Sequence, residues 1–377
     1  MANKVYENQK IPLRFSKKSI DNAAREIRHN CTEDERKHAL EKIKNFRELH
    51  LYPLMLIKNH LAKAANKVDR RIIIARRLKR LPTIIDKLER PSLDGTTTNA
   101  IKLTRMQDIG GCRAIVKDIS QLNALRARLK TSRSVHIISH ESNYLIPKSS
   151  GYGGVHLVYS CFDKSGAENN WRKTKIEVQL RTDLQHAWAT SLEIIDTLKQ
   201  IKLKTSLTGH DEWRRFFSIT GQLVAHDEGA NILDSDTVDN YENELVTLEK
   251  NLNAIKNITD FSVGIDVATR HLKTLHKSYR SGMCLVTLTV NTLLHAKVTK
   301  DGNRKVTAKV VAFKSENLPN AIAALNEAED DKDILISVLL SASDVTLLKK
   351  AYPNYFGSTT DFSRFVLKHI KNKRQAT

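Results

Sequence analysis

The stretch EVQLRT at residues 177–182, followed by HAWA at 186–189, decides how this sequence is interpreted. Apolar and polar residues alternate through the first segment, which predicts a β-strand, and the second predicts a helix that begins where the strand ends. The strand carries a carboxylate, an amide and a guanidinium, Glu177, Gln179 and Arg181, to a single edge. Proteins often build a metal-assisted site for phosphate chemistry from groups of these three kinds.

Length and composition indicate a soluble protein with a substantial core. The chain has 377 residues, of which 40% are hydrophobic, and no apolar run is long enough to span a bilayer. The N-terminal stretch MANKVYENQKIPLRF lacks the apolar segment of a secretory signal. Cys31, Cys112, Cys161 and Cys284 lie far apart without a CxxC pair, which favours reduced thiols in a cytoplasmic protein.

Of the composition values, the net charge says most about which class of molecule the protein binds. The chain has 62 Lys and Arg against 42 Asp and Glu, a formal charge of +20. Such an excess favours polyanions, because binding to them releases counterions. Aromatic residues make up only 6%, which argues against a broad base-stacking surface for single strands. We therefore expect a nucleotide, or a recognised end of a nucleic acid, as the partner.

The hydrophobic pattern predicts an α/β or α+β domain around a mixed sheet. Residues 18–90 have apolar residues three and four apart and are expected to be helical. After Arg181 the pattern is helical again to about residue 275. Between these segments lie strand-length apolar runs, with one helical pattern at 121–130; the runs are CRAIV at 112–116, VHIIS at 135–139, VHLVYS at 155–160 and KIEVQL at 175–180.

A second, smaller unit begins near Met283, where the composition shifts. Its predicted strands are CLVTLTV, LLHAKVT, KVTAKVVAF and ILISVLLS, with a hairpin turn at Asp301-Gly302; its predicted helices are LPNAIAALNEAE, SDVTLLKK and DFSRFVLKHI. We therefore expect an α+β fold in two domains. Residues 1–275 form a mixed β-sheet flanked by helices, and residues 276–377 form a small C-terminal α/β module.

Two carboxylates at strand ends indicate a magnesium site. Asp108 stands at the mouth of the CRAIV strand, and Glu177 holds an equivalent place on another strand. Gly110 and Gly111 allow close approach to the backbone, and Arg113 points back from the same strand. Mg²⁺ takes few protein ligands and shares the rest with phosphate oxygens and water. No Walker A or GxGxxG sequence is present, so neither a P-loop nor a Rossmann site is expected.

Two further segments carry candidate binding residues. A basic series at helical spacing precedes the carboxylates, and its members are Arg76, Arg77, Lys79, Arg80 and Lys87. Taken singly, each of them is also explained by a solvated helix face. The segment GYGGVH at 151–156 places three glycines around Tyr152, which predicts an exposed ring that stacks on a base. The alternative is a glycine-rich turn whose tyrosine packs locally.

These elements, in their order, resemble the RelA/SpoT nucleotidyl pyrophosphokinase domain over roughly residues 60–230. The matching elements are RxK at 77–79 with TIIDKL at 83–88, DIGGCR at 108–113, GYGGVH at 151–156, and EVQLRT with HAWA at 177–189. The resemblance implies transfer of the β,γ-pyrophosphate of ATP to a ribose 3′-hydroxyl, with release of AMP and with Mg²⁺ as the cofactor. It also implies that Arg77 and Arg113 sandwich the adenine, while Lys79 and Lys87 neutralise the phosphates.

The same resemblance implies roles for the remaining motif residues. Asp108 and Glu177 would hold Mg²⁺, and Glu177 would also take the proton of the attacking hydroxyl. Tyr152 would stack on the base of the acceptor. The residues that would border this acceptor pocket are His156, Gln179 and Arg181.

The identity of the acceptor stays open between two members of the resembling family. Some charge GDP or GTP and make (p)ppGpp; toxic relatives pyrophosphorylate the 3′-CCA end of tRNA and so block translation. Alarmone synthetases commonly carry a basic residue after the motif tyrosine, where this chain has Gly153. This glycine and the +20 charge favour tRNA, and (p)ppGpp synthesis is the alternative. A catalytically inactive RNA-binding regulator is a third class, which the intact Asp108 and Glu177 argue against.

The C-terminal segment resembles the pseudo-zinc-finger antitoxin region of CapRel-type fused toxin–antitoxin proteins, which sense phage infection. Cys284, His295 and His369 cannot assemble a four-ligand zinc site, so no structural zinc is expected. The string YPNY, with Tyr352 and Tyr355, matches the YxxY of that family. The resemblance implies a toxin held inactive in cis by these tyrosines, which compete with ATP, and released by a phage capsid protein. The alternative is that both tyrosines pack locally in their loop.

Overall fold

The computed structural model describes residues 7–29, 31–89, 101–164, 170–199, 201, 203, 209–259, 283–290, 306–314, 317–331, 333–341 and 360–376. The helices are α1 (Lys17–Arg28), α2 (Glu33–Leu49), α3 (Leu51–Ala65), α4 (Leu81–Glu89), α5 (Ile119–Thr131), α6 (Asp183–Lys199), α7 (Asp211–Asp227), α8 (Ser235–Leu252), α9 (Leu318–Asp330) and α10 (Thr360–Ala376). The strands are β1 (Ile73–Leu78), β2 (Gly110–Val116), β3 (Ile137–Tyr144), β4 (Gly154–Ser160), β5 (Lys175–Thr182), β6 (Met283–Val290), β7 (Val306–Phe313) and β8 (Ile334–Ser341). Among these residues, no helix combines the length and hydropathy that a bilayer crossing requires.

The strands form one mixed sheet in the order β3-β4-β5-β2-β1-β8-β6-β7. The pair β2–β5 is parallel, and the other pairs are antiparallel. Helices flank this sheet, so the α+β class expected from the sequence is confirmed. The strand expected at residues 175–180 is β5, and α6 begins directly after it, at Asp183.

The two faces of the central strands differ in chemistry because side chains alternate along a strand. One face is apolar and packs against α3 and α5; it contains buried Cys112, Ala114, Val178, Leu180 and Leu157. The alternate positions of the same strands carry charged and amide side chains. The core cluster that contains these residues therefore packs on one face of the strands and leaves the polar face for a site.

The prediction of a helix through the basic series is wrong at the centre of that segment. Residues 73–78 form strand β1, which pairs with β2 on one edge and with β8 on the other. The run Ile72-Ile73-Ile74 supplies β-branched side chains, which favour an extended backbone, and long-range pairing on both edges overrides the helical spacing of the basic residues. The helices on either side, α1 to α3 and α4, agree with the prediction for residues 18–90.

The described strands of the C-terminal segment extend the first sheet and do not form a separate one. Strand β8 pairs with β1, and β6 and β7 follow it outward. Buried Leu285, Leu318, Leu325 and Leu339 belong to the same core cluster as Leu54 of α3. An unpaired edge on β1 would expose a row of backbone donors and acceptors, and β8 covers that edge. The predicted strand LLHAKVT, the hairpin at 301–302 and the helix SDVTLLKK lie outside the described residues.

No zinc-finger-like arrangement is seen in the described part of this segment. Within the described ranges, no group of three or more His, Cys, Asp and Glu side chains is arranged to hold a metal ion. His295 lies outside these ranges, while Cys284 is on β6 and His369 is on α10. The segment instead contributes three strands and helix α9 to the sheet, and α10 to a second helical cluster.

Helix α10 is fixed to α7 and α8 by an aromatic contact and by an ion-pair cluster. The ring of Phe362 stacks on that of Phe217, with centroids 6.1 Å apart. Deeper along the helix, Nδ1 of His369 lies 2.8 Å from Oε1 of Glu242, and its Nε2 lies 3.3 Å from Oδ2 of Asp227. Burial opposes the charged imidazole, but the two carboxylates outweigh it and raise the pKa of His369 above its ordinary 6.5.

The same cluster lowers the pKa of Asp227, the opposite of its effect on His369. Burial opposes its ionisation, yet hydrogen bonds from His369 and Lys368 lower the pKa of this carboxyl to about 2. A raised histidine pKa stabilises the fold fully below the unfolded value of 6.5, and a lowered carboxyl pKa does so fully above the unfolded value of 3.8. The cluster therefore stabilises the docking of α10 most between these two pH values.

We expect the protein to be less stable at an alkaline pH than at about pH 6, because the pKa of His369 is raised above 6.5 and the imidazole loses its proton as the pH rises through that raised value. The His369→Gln variant should show a smaller fall, since it has no titrating group at this position. Thermal unfolding of both proteins at the two pH values measures the difference. An equal fall in both would contradict a contribution from this cluster.

Candidate active site

The polar face of the sheet is organised by the pairing of β2 with its two neighbours. Gly111 lies opposite Arg77 of β1 on one side and opposite Glu177 of β5 on the other. One step along, Arg113 pairs with Gln179, which in turn pairs with His156 of β4. Paired residues project to the same face, so these side chains converge on one area of the sheet.

A cavity of about 380 Å³ lies over this area. It is lined by every predicted site residue of the synthetase-like region except Lys87, which forms an ion pair with Asp108 of the lining. The lining motif residues are Arg77, Lys79, Asp108, Arg113, Tyr152, His156, Glu177, Gln179 and Arg181. Residues distant in sequence are thus brought to one site, as the motifs predict. Tyr352 and Tyr355 lie outside the described residues.

On one wall of the cavity, two lysines neutralise Asp108. Nζ of Lys79, which follows β1, donates to Oδ2 at 2.8 Å, and Nζ of Lys87 on α4 donates to Oδ1 at 3.1 Å. Burial opposes ionisation of Asp108, but these two charges outweigh it and lower its pKa to about 2. Burial also lowers the pKa of Lys79 against the opposing effect of Asp108. This wall holds two ammonium groups and one carboxylate in a half-buried place, which suits the binding of phosphate.

The second carboxylate of the cavity lining, Glu177, is held at both of its oxygens. Nδ1 of His156 lies 2.7 Å from Oε1, and Nε2 of Gln179 donates to Oε2 at 2.8 Å. Burial alone would raise the pKa of Glu177, but the hydrogen bond and charge of His156 outweigh it and lower the pKa below its ordinary value. The carboxylate is therefore ionised at neutral pH, and since a carboxylate only accepts, Nδ1 of His156 carries a proton.

Tyr152 is half-buried, so the prediction of an exposed ring is wrong. Its ring meets those of Trp188, His156 and Tyr144 edge-on, and the guanidinium of Arg181 lies 5.2 Å from its centroid. Nη2 of Arg181 donates to the phenol oxygen at 3.0 Å, and that oxygen also hydrogen-bonds Nε2 of His156. Burial raises the pKa of the phenol. The ring forms part of the cavity wall, and stacking of a base on it stays a prediction.

The glycines around Tyr152 serve the packing of the turn. Gly151 has φ +85°, and a Cβ there would lie 2.2 Å from the carbonyl oxygen of Phe217 on α7. Glycine is required because a side chain would collide with that backbone. This close approach to α7 explains why the turn does not present its tyrosine to solvent.

The two arginines predicted to bind adenine stand on neighbouring strands of the polar face. Arg77 lies opposite Gly111, and Arg113 lies opposite Ala75, so the arginines are diagonal neighbours. Diagonal neighbours on a sheet are about 7–8 Å apart, within reach of long side chains. Binding of an adenine between the two guanidinium groups stays a prediction.

Several lining residues were not predicted from the sequence. Lys148 precedes the glycine turn, Trp188 lies within the HAWA segment, and Glu193 and Leu192 follow on α6. Nζ of Lys148 lies 4.0 Å from the ring centroid of Tyr144, beside the turn. Trp188 was visible as part of a motif, but its contact with Tyr152 depends on how α6 packs, which no local pattern gives.

The donor set of the cavity fits a magnesium ion. Asp108 and Glu177 line the same cavity, and the negative charge of Asp108 acts on Glu177. Among the described residues, no third His, Cys, Asp or Glu groups with them to form a closed metal cage. Mg²⁺ is commonly bound by one or two carboxylates, with phosphate oxygens and water completing its shell, so two carboxylates suffice.

Two lysines neutralise one carboxylate, a histidine orients a second carboxylate, and arginines lie on the adjoining strands. Groups of these kinds suit the binding of a polyphosphate. Comparison with known families supports this assignment. Residues 76–195 match the RelA_SpoT model, described as the region found in RelA / SpoT proteins. The match covers less than half of the chain and spans the strands β1, β2, β4 and β5, which carry most of the site.

Individual relatives are similar over the same part of the chain. GTP pyrophosphokinase YwaC of Bacillus subtilis (strain 168) is 28% identical over 114 residues, which are 30% of this chain and 52% of that protein. The chain thus matches about half the length of this curated relative. Among solved structures, small alarmone synthetase 2 of Bacillus subtilis is 20% identical with a TM-score of 0.38, over 49% of this chain and 92% of its own.

A second solved structure is that of small alarmone synthetase 1 of Bacillus subtilis bound to its product pppGpp. It is 22% identical with a TM-score of 0.31, over 41% of this chain and 72% of its own. Because both TM-scores are below 0.5, the functional proposal rests on the site residues and on the family match.

The gap at Gly111 provides a test of the cavity as the ligand site. A Cβ on Gly111 would meet nothing within 4 Å, whereas a Cβ on Gly110 would lie 2.6 Å from Cδ1 of buried Ile176. We expect Gly111→Leu to fill the space between Arg77 and Glu177 and to weaken ATP binding at least about tenfold, a change of ~1.4 kcal/mol, without loss of thermal stability.

The matched control is Gly110→Leu, whose side chain enters the core and should lower stability by about 1–3 kcal/mol. Isothermal titration with ATP and thermal unfolding of both variants give the two readouts. Unchanged ATP affinity in a folded Gly111→Leu protein would show that ATP binds elsewhere.

Proposed function

We propose that this cavity transfers the β,γ-pyrophosphate of ATP to a ribose 3′-hydroxyl. The observation that carries the proposal is that Lys79, Asp108, His156 and Glu177 line one cavity, where Lys79 and Lys87 neutralise Asp108 and His156 holds Glu177. The match of residues 76–195 to the RelA/SpoT region supports it. Transfer of this kind depends on in-line placement and on charge neutralisation, and the two lysines are suited to the neutralisation.

In the proposed reaction, the 3′-hydroxyl oxygen attacks the β-phosphorus of ATP. The bond between that phosphorus and the α–β bridging oxygen breaks, and AMP leaves with the bridging oxygen. Arg77 and Arg113 hold the adenine, while Lys79 and Lys87 exchange Asp108 for phosphate oxygens. Mg²⁺, held by Asp108 and Glu177, would supply further neutralisation of charge on the phosphates.

Glu177 is suited to receive the proton that the hydroxyl loses. Its pKa is lowered, so the carboxylate is available as an acceptor at neutral pH. His156 and Gln179 fix the orientation of the carboxylate by holding one oxygen each. Arg181, which donates to both Tyr152 and Gln179 at 3.0 Å, extends this network toward the acceptor side.

For the acceptor we propose the 3′-CCA end of tRNA, whose modification would block translation. Gly153 supplies no basic side chain next to Tyr152, and the charge of +20 suits an RNA. A second cavity of about 470 Å³ shares Ser150, Leu192 and Leu203 with the first and is also lined by Arg214 and Arg215. It offers room for nucleotides that precede the terminal one.

The second candidate is (p)ppGpp synthesis with GDP or GTP as the acceptor. It is favoured by the activity that the name of the curated relative states, GTP pyrophosphokinase. Both candidates use the same donor side of the cavity, so only an acceptor assay separates them.

The acceptor assay uses γ-labelled ATP with bulk tRNA, GDP or GTP as alternative acceptors. We expect label on tRNA, no label on periodate-oxidised tRNA, which lacks the 3′-hydroxyl, and a loss of at least about a hundredfold for Glu177→Gln. Label on GDP or GTP with tRNA unlabelled would instead support alarmone synthesis. Absence of label on all acceptors would contradict the proposed reaction.

We further propose that the enzyme is a cytoplasmic toxin held inactive in cis in a CapRel-like manner and released by a phage capsid protein. Tyr352 and Tyr355 would compete with ATP between Arg77 and Arg113. In support, the last described residue of β8, Ser341, pairs with Arg76, and Leu340 pairs with Arg77. Tethering raises the local concentration to roughly the millimolar range, so even a weak contact would compete.

This inhibition is best tested with point variants. Deletion of residues 276–377 would remove Leu285, Leu325 and Leu339 from the shared core and would expose β1, so it would disturb the synthetase itself. We expect Tyr352→Ala with Tyr355→Ala to make expression toxic in uninfected cells, because ATP then has no competitor.

The control is the addition of Glu177→Gln, which should restore growth by removing the chemistry. A folded tyrosine variant that leaves growth unaffected, with unchanged transfer in vitro, would contradict inhibition by these residues.

A further inference from the structure

A buried ion pair joins the C-terminal segment to the N-terminal helices. Arg47 of α2 and Glu329 of α9 form a two-pronged contact, with Nη1 to Oε2 at 2.8 Å and Nη2 to Oε1 at 3.0 Å. The side chains are 3% and 1% exposed. A charge that is so fully buried requires a partner, and the fork geometry fixes how the two helices meet.

The same two side chains hold the backbone of the turn between β1 and α4. Nε of Arg47 donates to the carbonyl oxygen of Lys79 at 2.8 Å, and Oε1 of Glu329 accepts from the amide of Leu81 at 3.0 Å. The amide of Lys79 donates to the carbonyl oxygen of Ile109 at 2.8 Å. The backbone of Lys79 is thus fixed at both of its polar groups, on one side by the ion pair and on the other beside Asp108.

The strand that precedes this turn is also held by the C-terminal segment. Strand β8 begins shortly after α9 and pairs Leu340 with Arg77 and Ser341 with Arg76. One continuous piece, α9–β8, therefore contacts the chain before the turn through β8 and after it through Glu329. Lys79, which donates to Asp108 at 2.8 Å, lies between the two contacts.

Stability alone does not account for an ion pair at this place. Replacement of such a pair by apolar residues of similar volume is often possible without loss of stability, whereas loss of one partner leaves the other as an unpaired buried charge. What the charged pair adds is a set of directed hydrogen bonds to two backbone groups of the turn. Those bonds fix the position from which the Lys79 side chain enters the cavity.

We propose that Glu329 is a positioning residue for Lys79, so that the C-terminal segment holds the phosphate-binding wall of the cavity in place. The role of Lys79 in binding phosphate rests on the proposed function. The contact of Glu329 with the turn does not. Displacement of α9–β8 would release both the turn and the strand that carries Arg77, which gives this segment a means of control over the donor side of the site.

The test compares Glu329→Gln with Asp330→Asn in the full chain. Gln keeps the shape of Glu329 but removes its charge, while Asp330 forms an exposed ion pair with Lys44 on the same two helices, at 3.3 Å, without touching the turn. We expect Glu329→Gln to lower kcat/KM for ATP roughly tenfold to a hundredfold, because small displacements at a reacting centre have effects of this size.

Two readouts are independent of the reaction. Glu329→Gln should weaken binding of inorganic pyrophosphate and should speed hydrogen exchange at the amide of Leu81, and Asp330→Asn should change neither. In a Lys79→Ala background, Glu329→Gln should cause no further loss of pyrophosphate binding. If Glu329→Gln does not fold, the double variant Arg47→Met with Glu329→Leu replaces the pair by apolar groups and should show the same losses.

Unchanged pyrophosphate binding in a folded variant with faster Leu81 exchange would overturn the positioning role, as would an additional loss in the Lys79→Ala background. A wild-type protein that binds pyrophosphate but transfers none to any acceptor would overturn the proposed function alone. The binding and exchange measurements would still test whether Glu329 positions Lys79, because neither depends on the reaction.

Discussion

The pairing of β2 with β1 on one side and β5 on the other is the constraint on which the rest of the site depends. It sets Gly111 between Arg77 and Glu177, and the glycine leaves the space between them open. A shift of the strand register by one residue would move these side chains to the apolar face, which packs on α3 and α5. The core on one side of the sheet and the cavity on the other are therefore consequences of the same register.

Within the cavity, opposite charges are already compensated by protein groups. Asp108 is neutralised by two lysines, and Glu177 is held by His156. In the proposed reaction, the phosphates of ATP replace Asp108 as the partner of Lys79 and Lys87, and the released carboxylate would be available to hold Mg²⁺. Each charge keeps a partner throughout this exchange, which avoids the cost of an unpaired charge in a half-buried place.

The strands β2 and β4 could be predicted from the sequence as apolar runs of strand length, and β5 could be predicted because it alternates polar and apolar residues. Arg77 is different, since its basic neighbours fit helical spacing and only long-range pairing makes β1 a strand. The half-buried ring of Tyr152 depends on Trp188, which reaches it only through the packing of α6. Arg47 and Glu329 are 282 positions apart, and no pattern in a single sequence connects them.

The central claim is that this face of the sheet cleaves ATP between its α- and β-phosphates. Identification of the nucleotide product by chromatography, after incubation of the protein with ATP, tRNA and Mg²⁺, tests it most directly. We expect AMP to accumulate in step with modified acceptor. Accumulation of ADP with free phosphate would show cleavage at the γ-phosphate and would contradict the account, as would AMP formation that persists after removal of the acceptor 3′-hydroxyl.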